Sequence, residues 1–132
     1  MIKVFEAFSG IGTQRMALRN LGIEHEVVAI AEIDKYSLAS YEAIHGDCPN
    51  LGDISKIETT DIPDHDLFTY SFPCQDISVA GKQKGLDMDS GTRSGLLWEC
   101  QKVIDAKKPK YLLMENVRTW LGRSINIILT SG

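Results

Sequence analysis

The sequence lacks any apolar run close to the roughly 18–20 residues that a helix needs to cross a bilayer. Its first residues, MIKVFEAF, carry one lysine and no extended hydrophobic stretch, so they do not have the pattern of a signal peptide. We therefore expect a cytoplasmic protein that has no contact with a membrane.

Cysteine is scarce. The chain has three, Cys48, Cys74 and Cys100, and no two of them form a C-x-x-C pair. An odd number without that spacing argues against a disulfide framework and against a zinc site. We expect no bound metal and at most one functional thiol.

An excess of positive charge is also missing, since 14 lysines and arginines face 18 acidic residues and the net charge is -4 at pH 7. Proteins that hold a nucleic-acid backbone unaided usually carry a basic surface, because phosphate neutralisation supplies most of the non-specific affinity. If this chain acts on DNA, most of the affinity must come from something else.

Apolar runs alternate with helical patterns along the chain. This spacing predicts strands over 2–7, 27–31, 66–71 and 111–114, and helices over 16–21, 36–45 and 93–106. Residues 52–54 are predicted as a short turn or strand end, and residues 75–91 as a long loop. Such alternation is typical of an α/β fold with a mostly parallel, doubly wound sheet, which binds ligands beyond the carboxyl ends of its strands.

Two predicted strands end in residues suited to a cofactor. Gly10 and Gly12 form a turn before the first helix, where bare backbone can approach a ligand, although an ordinary tight turn has the same spacing. Glu32 ends the second strand, where a carboxylate can bind ribose hydroxyls or can simply stay solvated near a helix start.

The other two predicted strands end in residues suited to catalysis. Cys74 follows a proline just before the long loop, and Lys82, Lys84 and Arg93 supply local positive charge that can activate a thiol. A lone cysteine is equally compatible with a small buried side chain. Glu115 can act as a general acid if burial raises its pKa, or it can cap the next turn.

The ordered set FSGIGTQ, EID, GDI, SFPCQDIS, RSGLLWE and MENV resembles the opening motifs of the cytosine-5 DNA methyltransferases in order and spacing. The resemblance covers about residues 2–117, and the bacterial restriction-modification branch is the most similar. It implies a truncated, Rossmann-like, S-adenosylmethionine-dependent methyltransferase fold. DNA is the implied partner.

The resemblance also assigns residues. The motifs place the methionine part of S-adenosylmethionine at Phe8, Ser9, Gly10, Ile11 and Gly12. They place its ribose at Glu32, its adenine at Ile33, Asp53 and Ile54, and the pocket walls at Pro73 and Leu96. The implied catalytic residues are Cys74 and Glu115, and the implied substrate-binding residues are Gln75, Ser78, Lys82, Arg93 and Asn116.

The implied chemistry explains these residue types. Carbon 5 of cytosine is a poor nucleophile until the Cys74 thiolate adds to carbon 6, after which carbon 5 can take the methyl group. Glu115 holds and protonates the ring nitrogen and so stabilises the developing charge. The base must first be flipped out of the duplex, and the loop over 75–91 is suited to close over it.

After Val117 the resemblance fades, so residues 118–132 are interpreted as a divergent tail. The target-recognition region and the C-terminal motifs are expected to be absent. A truncated gene, one subunit of a split enzyme and a trimmed sequence all fit. Three functions stay open: a DNA methyltransferase active with a complementing C-terminal half, an inactive module that binds cofactor or partner or self-associates, and a tRNA cytosine-5 methyltransferase.

Overall fold

The computed structural model describes residues 1–71 and 96–115, together with the backbone of residues 125–129. The strands are β1 (Ile2–Ala7), β2 (His25–Ala31), β3 (Leu67–Tyr70), β4 (Tyr111–Glu115) and β5 (Ile125–Leu129). The helices are α1 (Thr13–Asn20), α2 (Lys35–His45) and α3 (Leu96–Lys107). Two short 3-10 helices, Ile54–Lys56 and Thr59–Asp61, lie between α2 and β3.

The strands form one sheet in the order β2-β1-β3-β4-β5, in which the first four are parallel. The predicted α/β fold with a mostly parallel sheet is therefore confirmed. β5, which the sequence does not predict, runs antiparallel to β4, with Tyr111 opposite Leu129 and Glu115 opposite Ile125. Only residues 116–124 separate the two strands. That length is shorter than the dozen or more residues of a parallel crossover, which accounts for the antiparallel pairing.

The core lies on both faces of the sheet because side chains alternate along each strand. Phe5 of β1 and Phe68 of β3 point to the face covered by α3 and the 3-10 helices, where Val103 of α3 joins them. Val4 of β1 points to the opposite face, where it packs with Leu18 of α1 and residues of α2. Burial on both faces accounts for the absence of a strict apolar–polar alternation in β1 and β3.

Local signals fix the helix ends. Asp34 caps α2, since its Oδ2 accepts hydrogen bonds from the Ser37 amide at 3.1 Å and the Ser37 hydroxyl at 2.7 Å. Gly12, with a φ of 81°, immediately precedes α1. The predicted turn over residues 52–54 becomes the first 3-10 helix because the Asp53 carboxylate accepts from the Ser55 amide at 2.9 Å. In the part of the chain that the structure describes, no helix has the length and apolarity to cross a membrane.

Candidate functional site

The carboxyl ends of the four parallel strands meet at one edge of the sheet. Gly10 follows β1, Glu32 follows β2, Ser71 follows β3, and Glu115 is the last residue of β4. The structure thus places Gly10, Glu32 and Glu115 at the edge where the strand pattern predicts them. Cys74, which the sequence predicts at the same edge, lies outside the described residues.

The turn after β1 has an unusual backbone. Phe8, Gly10 and Gly12 all have positive φ angles, of 53°, 56° and 81°. A non-glycine residue such as Phe8 adopts this conformation at a cost of about 1–3 kcal/mol, and such residues cluster at ligand sites. An ideal Cβ on Gly10 would meet no atom within 4 Å, so a ligand can approach the backbone there.

The Glu32 carboxylate ties this turn to the end of β2. Its Oε1 accepts a hydrogen bond from the Gly10 amide at 2.7 Å, and its Oε2 accepts from the amides of Ile33 at 2.9 Å and Asp34 at 3.0 Å. A carboxylate has about four acceptor positions, and the described residues occupy three of them, which leaves one on Oε1. Glu32 is therefore a structural tie between two loops that can still accept one hydrogen bond from a ligand.

Asn50 is a site residue that the sequence analysis missed. Its Oδ1 accepts from the amides of Glu32 and Gly52, both at 3.0 Å, and its Nδ2 donates to the Glu32 carbonyl at 3.0 Å. Asn50 therefore fixes the end of β2 relative to the segment that begins at Gly52. The sequence offers only a polar residue shortly before a glycine, a signal too common to identify this role.

A cleft of about 530 Å³ opens beside the turn, on the α3 side of the sheet. Its volume is in the range of small-molecule sites. Six residues that the resemblance assigns to the cofactor line it, namely Phe8, Glu32, Ile33, Asp53, Ile54 and Leu96. The other assigned residues described, Ser9, Gly10, Ile11 and Gly12, form the adjoining turn. The structure thus brings the assigned set together, apart from Pro73, which is not among the described residues.

Glu115 lies on the other side of the same edge. It is half-buried and lines an apolar groove together with Thr13 and Gln14 of α1, whereas its neighbour Met114 packs into the core on the α3 side. The Gln14 side chain donates to the Ser71 hydroxyl just beyond β3. The cleft and Glu115 are thus on opposite sides of the strand ends.

Several predicted residues cannot be placed. Besides Pro73 and Cys74, the residues assigned to the substrate, Gln75, Ser78, Lys82, Arg93 and Asn116, lie outside the described ranges, as does the predicted loop over 75–91. The two described cysteines are poor nucleophiles. Burial raises the pKa of both Cys48 and Cys100, which keeps their thiols protonated at neutral pH.

The comparison with family models identifies the chain. A model described as C-5 cytosine-specific DNA methylase matches residues 2–129. The chain belongs to this family. The match extends beyond Val117 and includes β5, which pairs with the strand that carries Glu115.

Several curated relatives of this chain are named as methyltransferases. Type II methyltransferase M2.ScrFI of Lactococcus lactis subsp. cremoris is 42% identical, and the match covers 94% of this chain and 49% of the relative. Orphan methyltransferase M.Rho11sI of Bacillus phage rho11s is 40% identical, with 98% and 26% covered. Type II methyltransferase M.NlaX of Neisseria lactamica is 38% identical, with 98% and 42% covered. The chain thus spans about a quarter to a half of the length of these relatives.

Solved structures of methyltransferases share the fold of this chain. The S. pombe Dnmt2 methyltransferase superposes with a TM-score of 0.69 at 27% identity, over 89% of this chain and 34% of that one. A Spodoptera frugiperda DNMT2 mutant superposes with a TM-score of 0.73 at 27% identity, over 93% of this chain and 38% of that one. The predicted Rossmann-like methyltransferase fold is confirmed.

Proposed function

We propose that this chain supplies the cofactor-binding and catalytic residues for methyl transfer from S-adenosylmethionine to carbon 5 of cytosine in DNA. The observation that carries the proposal is the cleft beyond the strand ends, which six residues assigned by the family motifs line together. Membership of the C-5 cytosine-specific DNA methylase family supports the reaction and the substrate.

The residues around the cleft fit S-adenosylmethionine. The Ser9 hydroxyl is 4% exposed and has no hydrogen-bond partner among the described residues, so a polar group of a ligand can satisfy it. The remaining acceptor position of Glu32 suits a ribose hydroxyl. Ile33, which is 72% exposed at the rim of the cleft, offers an apolar surface for an adenine ring. The amino-terminal end of α1, just after the turn, favours a carboxylate.

The proposed chemistry uses one residue as nucleophile and one as acid. Bound S-adenosylmethionine supplies a methyl group on a positively charged sulfur. The Cys74 thiolate would form a bond to carbon 6, and Glu115 would hold a proton at the ring nitrogen, so electron density at carbon 5 would rise. That carbon would take the methyl group, whose bond to sulfur would break and leave its electron pair on sulfur as a neutral thioether. A base then removes the proton from carbon 5, and the electrons of that bond expel the thiolate.

Gly10→Ala should weaken binding of S-adenosylmethionine by about tenfold or more, because the new methyl group would stand where the ligand approaches the backbone. Gly22→Ala is the matched control. Gly22 also has a positive φ, of 72°, and open space around its Cβ, but it lies in the turn after α1, away from the cleft. We expect unchanged affinity for this control in isothermal titration calorimetry.

Equal affinities of the Gly10→Ala and Gly22→Ala variants would contradict binding at the turn. So would an absence of heat for the wild-type chain. Glu32→Ala should also weaken binding, since it removes both the tie to Gly10 and the acceptor for the ribose. A wild-type affinity in that variant would count against the assigned site.

A second part of the proposal concerns a partner. The apolar groove that Glu115 lines lies between α1 and β4, and we call it the α1–β4 groove. It has a volume of about 460 Å³, and its walls are almost wholly apolar. Its apolar lining consists of Ile2, Ala17, Leu18, Leu21, Ile23, Leu67, Tyr111 and Leu113. Parallel sheets are normally covered on both faces. The longer relatives have further polypeptide available to fill such a groove, and we propose that a complementing C-terminal subunit or a second copy of the chain does so here.

Leu21→Glu should reduce self-association and apolar-dye binding, because Leu21 is 73% exposed and lines this groove. Ile44→Glu is the control. Ile44 is 42% exposed on α2, is not part of the groove, and should tolerate the charge without a change in association. Light scattering gives the mass, and dye fluorescence gives the exposed apolar surface. A wild-type chain that is a monodisperse monomer and binds no dye would refute the proposal.

A binding module without activity of its own is the second candidate. The observation that favours it is the coverage of only 26–49% of the named relatives. A methyl-transfer assay on mixed-sequence DNA separates the two candidates when it is run with and without co-expressed downstream sequence from the source genome. Activity in either case supports the enzyme, whereas cofactor binding without activity in both cases supports the module.

A further inference from the structure

A polar cluster lies beneath the turn after β1 and has no part in the proposed chemistry. Glu6 of β1 is 1% exposed, and its Oε2 accepts a hydrogen bond from the Tyr41 hydroxyl at 2.5 Å. Arg15 of α1 donates to the same hydroxyl at 3.1 Å. Burial raises the pKa of Glu6, although the Tyr41 hydrogen bond and the charge of Arg15 oppose this shift. Tyr41, which is fully buried, is thus held on both sides by hydrogen bonds.

His45 lies one helical turn further along α2, and its ring contacts that of Tyr41 at a centroid distance of 4.6 Å. Its Nε2 is 3.0 Å from the Ile11 carbonyl oxygen. A carbonyl can only accept a hydrogen bond, so Nε2 carries the hydrogen. His45 therefore donates to the backbone of the turn that forms one wall of the proposed cofactor site.

The turn also packs directly on the two rings. An ideal Cβ on Gly12 would lie 2.7 Å from Cε2 of Tyr41 and would overlap the His45 ring as well. Glu32 holds the Gly10 amide from the end of β2, while His45 holds the Ile11 carbonyl from the end of α2. The end of β2 and the end of α2 thus hold the turn from two sides, at the consecutive residues Gly10 and Ile11.

We propose that Tyr41 and His45 are positioning residues, which hold the Ile11–Gly12 peptide in the orientation that binding of S-adenosylmethionine requires. The inference rests on the proposed function, because it takes the turn as part of the cofactor site. Tyr41 sets the place of the His45 ring, and His45 sets the direction of the Ile11 carbonyl. Neither residue needs to touch the cofactor.

The charges around His45 favour its neutral form. Burial lowers its pKa, as do Arg15 and Arg19 of α1, while hydrogen bonding to the Ile11 and Gly12 backbone opposes the shift. The neutral ring with hydrogen on Nε2 makes the bond to Ile11 without adding a third positive charge beside the two arginines. The amide of glutamine can make the same donation, whereas an aliphatic side chain cannot.

The test compares His45→Leu, which removes the donor, with His45→Gln, which keeps an N–H donor, in the 132-residue chain. His45→Leu should weaken S-adenosylmethionine binding by roughly fivefold to tenfold, the loss typical of one hydrogen bond. It should speed hydrogen exchange of the Gly12 amide, which donates to the Ser9 carbonyl at 2.8 Å, by a similar factor. Amides of β3 should keep their protection. His45→Gln should restore most of both effects.

Unchanged exchange at Gly12 in the His45→Leu variant would overturn the inference, whatever the cofactor affinity. Equal loss of protection in the turn and in β3 would also overturn it, since that result indicates a general loss of stability. Faster exchange of the Gly12 amide in His45→Leu, combined with no S-adenosylmethionine binding by the wild-type chain, would support the positioning of the turn and reject the proposed function. If His45→Leu does not fold, His45→Phe removes the donor and keeps the ring contact with Tyr41.

Discussion

The substitution Cys74→Ser is expected to abolish the covalent complex with DNA that carries 5-fluorocytosine at the target position. Fluorine at carbon 5 cannot leave as a proton does, so the bond between sulfur and carbon 6 persists after methyl transfer. A serine hydroxyl is far less ionised than a thiol with a pKa near 8.5, so it cannot replace the nucleophile. Methyl transfer should fall on the order of 10⁴-fold or more, because the covalent route is lost. The adduct is measured by mass spectrometry on the chain co-expressed with the proposed complementing half.

Two control variants follow from the described structure. Cys48→Ser and Cys100→Ser should leave the adduct intact, because burial raises the pKa of both thiols and keeps them protonated. Glu115→Gln should slow trapping without removing the thiol, which separates the acid from the nucleophile. An adduct that maps to another cysteine, or that forms in the Cys74→Ser protein, would show that the assignment is wrong.

Gly12→Ala is expected to have the largest effect on stability among substitutions of the five glycines that the structure describes. A non-glycine residue at a φ of 81° costs roughly 1–2 kcal/mol, and the overlap of the new methyl group with Tyr41 and His45 adds about 1–3 kcal/mol. The sum is a large part of a typical unfolding free energy of about 5–15 kcal/mol. Urea denaturation followed by circular dichroism measures the change, and cofactor binding should be lost together with the turn.

Gly22→Ala again provides the control, because its φ of 72° carries the same backbone cost while its Cβ would meet nothing within 4 Å. We expect it to lower the unfolding free energy by only the backbone part, about 1–2 kcal/mol. Similar losses of unfolding free energy in Gly12→Ala and Gly22→Ala would mean that the Tyr41 and His45 rings do not pack tightly against the turn. Adding His45→Ala to Gly12→Ala should recover part of the loss by removing one of the two overlapping rings.

The sequence predicts the sheet well because its strands are short, buried and bounded by clear turns. The predicted end of the first helix at residue 21 and the predicted start of the second at residue 36 each lie within one residue of the ends that the structure gives to α1 and α2. β5 is not predicted, although its sequence INIIL is a β-branched, apolar run of the kind that favours a strand. The 3-10 helix at Ile54–Lys56 depends on a local hydrogen bond from Ser55 to Asp53, which a pattern of hydrophobicity does not reveal.

The site is predictable only in part, for a physical reason. The motifs identify Glu32 at the end of β2, yet its bond to the Gly10 amide joins residues 22 positions apart. His45 reaches Ile11 across 34 positions, and Tyr41 reaches Glu6 across 35. Nothing in the sequence of α2 marks Tyr41 or His45 as part of the site. Contacts of this kind arise only when the chain is folded, so no spacing rule could find them.

The antiparallel β5 limits the way in which a second polypeptide can join this sheet. Five residue pairs link β5 to β4, so the main-chain hydrogen-bonding groups on that side of β4 are already in use. A partner strand that pairs with β4 must first displace β5. Assembly of this kind is a strand exchange and has its own kinetic barrier. A partner that binds the face of the sheet does not have to displace β5 and so meets no such barrier. Assembly by side-chain packing on the face of the sheet should therefore be fast, whereas assembly by strand pairing with β4 should be slow.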